Sequence, residues 1–192
     1  MKIILASSSP RRKELLSLMG VQFEIIKPVK DEDMTQKMSI YKLSEVLSKQ
    51  KAQEVFDNLD GDRIVIGSDC MVFLKNKKIG KPKDRQDAFN MISSLSGNWH
   101  KVVTGLCVMV QKGDQTKTYL THETTKVKFK KLDKQTIEDY LDRSEYMDKA
   151  GAYAVQGKSG MFIEKINGNI STVIGLPTNI LHDILKQEKI LK

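Results

Sequence analysis

Short apolar runs alternate with amphipathic stretches along the chain. Ile3-Ile4-Leu5 reads as a strand; after a serine-rich turn, Leu15, Leu18 and Met19 recur at helical spacing until Gly20 stops the pattern. Phe23-Glu24-Ile25-Ile26 is a second short strand, and a polar stretch over 27–38 holds Asp31, Glu32 and Asp33. The next helix is predicted over 39–56, with a stripe of Ile40, Leu43, Leu47 and Val55 on which Lys51 also falls. A buried strand over 63–68 is expected to deliver Asp69 at its end, with 71–74 as a separate extended piece and a hairpin through Asn76 and Lys77 leading to Gly80-Lys81-Pro82. Asp84 caps a helix carrying Ala88, Met91, Ile92 and Leu95, ended by Gly97. Segments 99–110 and 117–129, joined at Gly113-Asp114, read as an antiparallel pair. A helix over 132–141 capped near Asp133, a strand over 161–165, and a last helix opened by Pro177 at its first position complete the pattern. Such alternation, with no linker or repeat, predicts an α/β fold in a single domain over 1–192.

Composition narrows the function. With 192 residues, 40% hydrophobic and 29% charged, the chain matches ordinary globular proteins. No apolar run approaches the roughly 20 residues of a membrane span, and Met1-Lys2 leads into a strand and not a signal core, so a cytoplasmic protein without membrane association is expected. Cys70 and Cys107 lack metal-site spacing and read as reduced thiols. The net charge of +8 implies an anionic partner: nucleic acid, acidic lipid or a phosphorylated small molecule. An aromatic content of 6% argues against a base-stacking nucleic-acid binder, and the alternating Lys126, Lys128 and Lys130 read as the wet face of an edge strand. Gly157-Lys158-Ser159 is no phosphate loop, since the required earlier glycine is Ala152. His100, His122 and His182 are too scattered for a zinc site and read as surface or hydrogen-bonded structural residues, and no serine-hydrolase elbow is present.

The charges that packing leaves unexplained point to phosphate. Ser9 suits an N-cap and Pro10 the first helical position. The free N–H groups there attract anions, and Arg11 and Arg12 add planar forks that match phosphate oxygens. Ser7 and Asp69 would lie at the carboxyl ends of strands, where α/β sheets collect ligands. With Lys51 and Lys81 as further cations, and Glu32 and Asp69 as oxygen ligands for a hard cation such as Mg²⁺, the set suits attack by activated water on a phosphoryl group. Local pairing of each charge is the competing account.

Taken in order, Ser7-x-Ser9-Pro10-Arg11-Arg12, Glu32, Lys51-Ala52, Ser68-Asp69, Gly80-Lys81-Pro82, Ser96-Gly97-x-x-His100-x-Val102-x-Thr104-Gly105, Asp148-Lys149-Ala150-Gly151-Ala152-Tyr153, Gln156-Gly157 and Val173-x-Gly175-Leu176-Pro177 resemble the Maf family of nucleoside triphosphate pyrophosphatases. The resemblance implies an elongated mixed α/β fold, related to inosine triphosphate pyrophosphatases, with two lobes around a central cleft, and a homodimer. It implies cleavage between the α and β phosphates of a nucleoside triphosphate with a divalent metal, Mg²⁺ or Mn²⁺, as cofactor. Asp69 then aligns with the proton acceptor, and Ser9, Arg12, Glu32, Lys51 and Lys81 with the phosphate and metal cluster. In the subgroup acting on dTTP and UTP, the specificity positions correspond to Arg12, Cys70 and Gln156. Arg12 and Gln156 fit; Cys70 departs, because that subgroup usually has threonine there, and a thiol is the weaker hydrogen-bond partner. The alternatives are a Maf enzyme of other base specificity, such as 7-methyl-GTP, a nucleotide-binding regulator linked to cell division without efficient turnover, and a protein bound to nucleic acid through its charge, for which steep salt dependence would be the sign.

Overall fold

A computed structural model describes residues 1–30, 38–75, 77–143 and 146–191. Strand β1 (Lys2–Leu5) lies parallel between β2 (Glu24–Ile25) and β3 (Arg63–Leu74), with Leu5 opposite both Ile25 and Ile66. Helix α1 (Pro10–Leu18) follows β1, and α2 (Ile40–Phe56) precedes β3. Then come β4 (Lys77–Ile79), α3 (Arg85–Leu95), β5 (Trp99–Lys112), β6 (Gln115–Phe129), α4 (Lys134–Arg143), β7 (Ile163–Asn167), α5 (Ile170–Ile174) and α6 (Thr178–Gln187). The strands form one seven-stranded mixed sheet in the order β2-β1-β3-β5-β6-β7, with β4 beside β3.

The chain divides into two compact units. The first comprises Met1–Asp69, Thr104–Glu123 and Gly175–Lys192, and the second Cys70–Val103 and Thr124–Ile174. Within the first, Ile4, Val65, Cys107 and Met109 of the sheet, with Ala6 just past β1, pack against Ala52, Val55 and Phe56 of α2. Glu188, just past α6, accepts from Lys112, Lys117 and Tyr119, which together hold its carboxyl down at about 2. Within the second, Ala88, Ile92 and Leu95 of α3 and Ile137, Tyr140 and Leu141 of α4 enclose Phe129 and Phe162.

Several expectations hold. Asp84 and Asp133 cap α3 and α4, accepting at 2.7 Å from the N–H groups of Asp87 and Thr136, and neither cysteine is in a disulfide. Others need correction. Strand β3 runs unbroken through Asp69: β1 leaves it at the Leu5–Ile66 pair and β4 joins only from Val72, opposite Ile79, while β5 neighbours β3 in the sheet; Asp69 is therefore in mid-strand, three residues past the last parallel pair. The Asn76 of the expected hairpin lies outside the described residues. In α1 the buried residues are Leu15 and Leu16, with Met19 half-buried, while Leu18 is 78% exposed: Leu16 takes the place in the core-facing stripe that spacing gave to Leu18. The lysine row on β6 is no edge, since β7 pairs with it, Lys126 opposite Asn167 and Lys128 opposite Lys165. Strand β7 starts at Ile163 because residues before it close a 3-10 turn, Lys158–Phe162. Pro177 is the N-cap of α6 and not its first helical residue, and α5 was not expected.

Candidate functional site

In the first unit, the turn between β1 and α1 is organised by Ser7. Its buried Oγ accepts from the Ser9 N–H at 3.2 Å and from Arg12 Nη1 at 3.2 Å. Ser9 occupies the N-cap with extended backbone, yet its hydroxyl makes no capping bond, so the sequence located the helix start but misassigned the side chain. Arg12 Nε donates to the Gly175 carbonyl at 2.9 Å. The guanidinium is thus fixed by two neutral acceptors, and among the described residues no carboxylate pairs with it. It lies beside the N-terminus of α1, where the helix dipole and free N–H groups favour an anion. Arg11 is half-buried on the same turn.

Ser68 shares that carbonyl: its Oγ lies 2.9 Å from the oxygens of both Gly105 and Gly175. The next residue, Asp69, is 6% exposed and accepts from Lys51 Nζ at 2.5 Å through Oδ1. Two strand glycines bring α2 close enough for that contact. A Cβ on Gly67 would sit 2.3 Å from the Ser48 carbonyl oxygen, and one on Gly105 would sit 2.0 Å from that of Ser44. Glycine within a strand marks such close approach, the one signal in the sequence from which the Lys51–Asp69 meeting was readable. The carboxylate keeps Oδ2 without a donor among the described residues. As a hard oxygen ligand it suits Mg²⁺ or Mn²⁺, which take few protein carboxylates and fill their shells with water and substrate oxygens. No cluster of three His, Cys, Asp or Glu side chains occurs among the described residues. Glu32, the other expected ligand, lies outside them.

In the second unit, Lys81 is exposed beside the buried Pro82 and has no ion pair among the described residues. Its turn is tied down by the Gly151 N–H, which donates to the Gly80 carbonyl at 2.9 Å. Gly151 and Ala152 follow one another in left-handed conformation, φ 74° and 60°. For alanine this strain is about 1–3 kcal/mol and persists only where surroundings over-determine it. Tyr140 supplies one restraint, donating its hydroxyl to the Ala152 carbonyl at 3.0 Å. The following Tyr153 meets His100 Nε2 at 2.7 Å through its hydroxyl. Burial pushes the His100 imidazole down to about 4, so it is neutral at pH 7, and burial raises the Tyr153 phenol. The sequence left His100 as either a surface or a hydrogen-bonded structural residue; it is the second, with a partner 53 residues away. Gln156 is exposed on a bend whose base is pinned by Ser159 Oγ, which donates to the Ala154 carbonyl at 2.6 Å and accepts from the Ala154 N–H at 3.0 Å. Cys70 is half-buried, Sγ 3.8 Å from the Thr172 carbonyl. Cys107 in the first unit is fully buried with its thiol pushed up to about 12, which leaves it chemically inert.

The structure thus joins Ser7 with Arg12, and Lys51 with Asp69, in the first unit, and places Cys70, Lys81 and Gln156 in the second. No helix among the described residues is long and apolar enough to cross a membrane.

Residues 2–188 match a family model described as Maf-like protein. A curated relative from Aquifex aeolicus (strain VF5), named dTTP/UTP pyrophosphatase, is 47% identical over 100% of this chain and 97% of its own length. Another of the same name from Thermoanaerobacter sp. (strain X514) is 46% identical over 98% of this chain and 97% of its own. Among solved structures, a HAM1 protein from Coxiella burnetii aligns with 97% of this chain and 99% of its own at 12% identity, with a TM-score of 0.49.

Proposed function

Because the chain belongs to the Maf family, we propose that it is a nucleoside triphosphate pyrophosphatase acting on dTTP and UTP, releasing the nucleoside monophosphate and pyrophosphate. The observation that carries this reading is the Arg12 guanidinium, fixed by Ser7 and the Gly175 carbonyl and, among the described residues, bound by no carboxylate. A structural arginine is ordinarily paired with an acid, whereas one held by neutral acceptors at a helix start is prepared for phosphate oxygens. The full-length similarity to proteins named for dTTP and UTP supports the substrate class.

In this mechanism Arg12, Lys81, Ser7 and Ser9 bind and orient the triphosphate, with Arg11 adding charge at the same turn. Lys51 holds Asp69 Oδ1, so that Oδ2 takes the proton from a water. The water oxygen bonds to the α-phosphorus as the bond from that phosphorus to the bridging oxygen breaks, and pyrophosphate leaves with the electron pair. Asp69 and Glu32 would hold the divalent cation, Mg²⁺ or Mn²⁺, which supplies neutralisation of phosphate charge when bound. Gln156, with one donor and one acceptor in its amide, reads the pyrimidine edge, and Arg12 and Cys70 complete the specificity set. The reading carries with it one catalytic domain spanning both units, a homodimer in the cytoplasm, a house-cleaning role in nucleotide pools, and no specific nucleic-acid or membrane partner.

The test is a panel of normal and modified triphosphates, 7-methyl-GTP included, incubated with purified protein and Mg²⁺ or Mn²⁺, both products being identified. Monophosphate and pyrophosphate from dTTP and UTP are expected. Orthophosphate release would refute the bond assignment, preference for a purine would refute the base assignment, and binding without turnover would make the protein a nucleotide-binding regulator.

A further inference from the structure

His100 and Tyr153 are 2% and 5% exposed, and they are joined by a bond of 2.7 Å far from any solvent that could replace it. Their rings and that of Phe129 pack edge to face in a closed set of three: 5.4 Å between His100 and Tyr153, 5.0 Å between His100 and Phe129, and 4.9 Å between Phe129 and Tyr153. The Tyr153 ring borders Gly151, whose missing Cβ would lie 3.4 Å from Tyr153 Cδ1 and Cε1 and 3.4 Å from Val72 Cγ1. Gly151 is therefore held between the tyrosine and β3, in the left-handed conformation from which its N–H reaches the Gly80 carbonyl at 2.9 Å. Lys81 follows Gly80 directly. On the other side of Tyr153 the chain passes through the Ser159 clamp on Ala154 to Gln156.

We infer that the buried His100–Tyr153 pair is a positioning device for substrate recognition, setting the strained Gly151-Ala152 turn and through it the phosphate-binding Lys81 and the base-reading Gln156. The inference rests on the pyrophosphatase reading, since it assigns Lys81 and Gln156 to the triphosphate. Neither His100 nor Tyr153 touches substrate. Both act through the backbone, and the residue they restrain, Ala152, would leave left-handed space if released. Loss of the bond lets Lys81 and Gln156 sample other positions, and because both bind substrate in ground and transition state alike, the effect falls on KM and spares kcat.

The experiment measures kcat and KM of the full chain, on whichever triphosphate it turns over best, for His100→Leu, His100→Gln and Tyr153→Phe, well below each variant's Tm. Glutamine keeps an acceptor for the tyrosine hydroxyl, whereas leucine keeps only bulk. His100→Leu and Tyr153→Phe are expected to raise KM about tenfold, the equivalent of one lost hydrogen bond, with kcat within about threefold, and His100→Gln to restore KM to within about threefold of the parent. A merely structural pair would lower Tm and leave KM alone. Unchanged KM in Tyr153→Phe, or a glutamine variant no better than leucine, overturns the inference. If His100→Leu does not fold, the isosteric Tyr153→Phe decides alone. Absence of turnover by the parent chain on every triphosphate refutes the pyrophosphatase reading instead, so the two failures are distinct.

Discussion

Replacing Gly67 by alanine places a methyl group 2.3 Å from the Ser48 carbonyl oxygen and 2.8 Å from both the nitrogen and the Cβ of Ala52. Carbon and oxygen in close non-bonded contact rest at about 3.3 Å, so roughly 1 Å of movement is required. Two of the three clashing atoms are helix backbone and the third is a Cβ fixed to it, so no rotamer change relieves them and α2 itself must back away from β3. Overpacking of this kind costs about 1–3 kcal/mol. At about 2–4 °C per kcal/mol for a chain of this size, Tm should fall by about 2–12 °C. Lys51 adjoins Ala52 and moves with the helix, so its 2.5 Å contact to Asp69 is lost or lengthened. A displacement near 1 Å at a reacting group costs up to about 10²-fold in rate. Thermal melting and steady-state kinetics with dTTP and Mg²⁺ read both effects, and kcat should fall with Tm. Unchanged Tm would show that the strand has room that the geometry denies. A lower Tm with parental kcat would show that the close approach serves packing and that the Lys51–Asp69 contact does not set the rate.

Asp69→Asn keeps the shape and removes the base; kcat should drop by about 10² or more in a folded protein, and near-parental turnover would exclude Asp69 as proton acceptor. Lys81→Ala should raise KM for the triphosphate with stability unchanged within about 0.5 kcal/mol, because the side chain is exposed and has no ion pair among the described residues; a large fall in Tm would mark it as structural. Arg12→Ala should both raise KM and lower Tm, since it also loses its bonds to Ser7 and Gly175, and an unaltered KM would remove the observation on which the functional reading rests. His100 titrates at about 4 when folded against 6.5 ordinarily. Between those values the unfolded chain binds a proton that the folded chain does not, so stability is full above about 6.5 and declines as pH falls towards 4, by up to about 3 kcal/mol. Melting curves from pH 7 to 4 should show this loss in the parent chain and lack it in His100→Gln; parallel curves would place the proton elsewhere.

The parts legible in the sequence are those set by neighbours in the chain. Asp84 and Asp133 announced their helices because capping is decided within three residues, and the strand, turn and helix over residues 3–20 followed from local period and Pro10. Ser9 shows the limit: a capping residue in a capping position whose hydroxyl makes no cap, since Ser7 holds the turn from the other side. Asp69 reads as a strand end because Ser68-Asp69-Cys70 breaks the apolar run, but strand length is settled by partners, and β3 has β5 as a neighbour in the sheet and β4 beyond the break. The lysine row of β6 looked like an edge for the same reason; an exposed face and an exposed edge carry the same alternation, and only the pairing with β7 separates them. The functional residues themselves came through their family motifs, whereas the contacts that aim them did not: the shared Gly175 carbonyl and the His100–Tyr153 bond each join segments that composition and period treat independently.

The Gly175 carbonyl has a consequence for how the protein comes into being. Arg12 reaches it across 163 residues and Ser68 across 107. A nascent chain emerges with its phosphate-binding turn first and the acceptor of Arg12 Nε almost last, so β1, α1 and α2 can be made while the arginine has only its local bond to Ser7. Contacts of such separation are closed late and slowly. A product of premature termination before residue 175 therefore carries every one of the charged residues assigned to phosphate and metal, yet lacks the acceptor that orients Arg12, and such fragments are expected to be catalytically silent even where they fold.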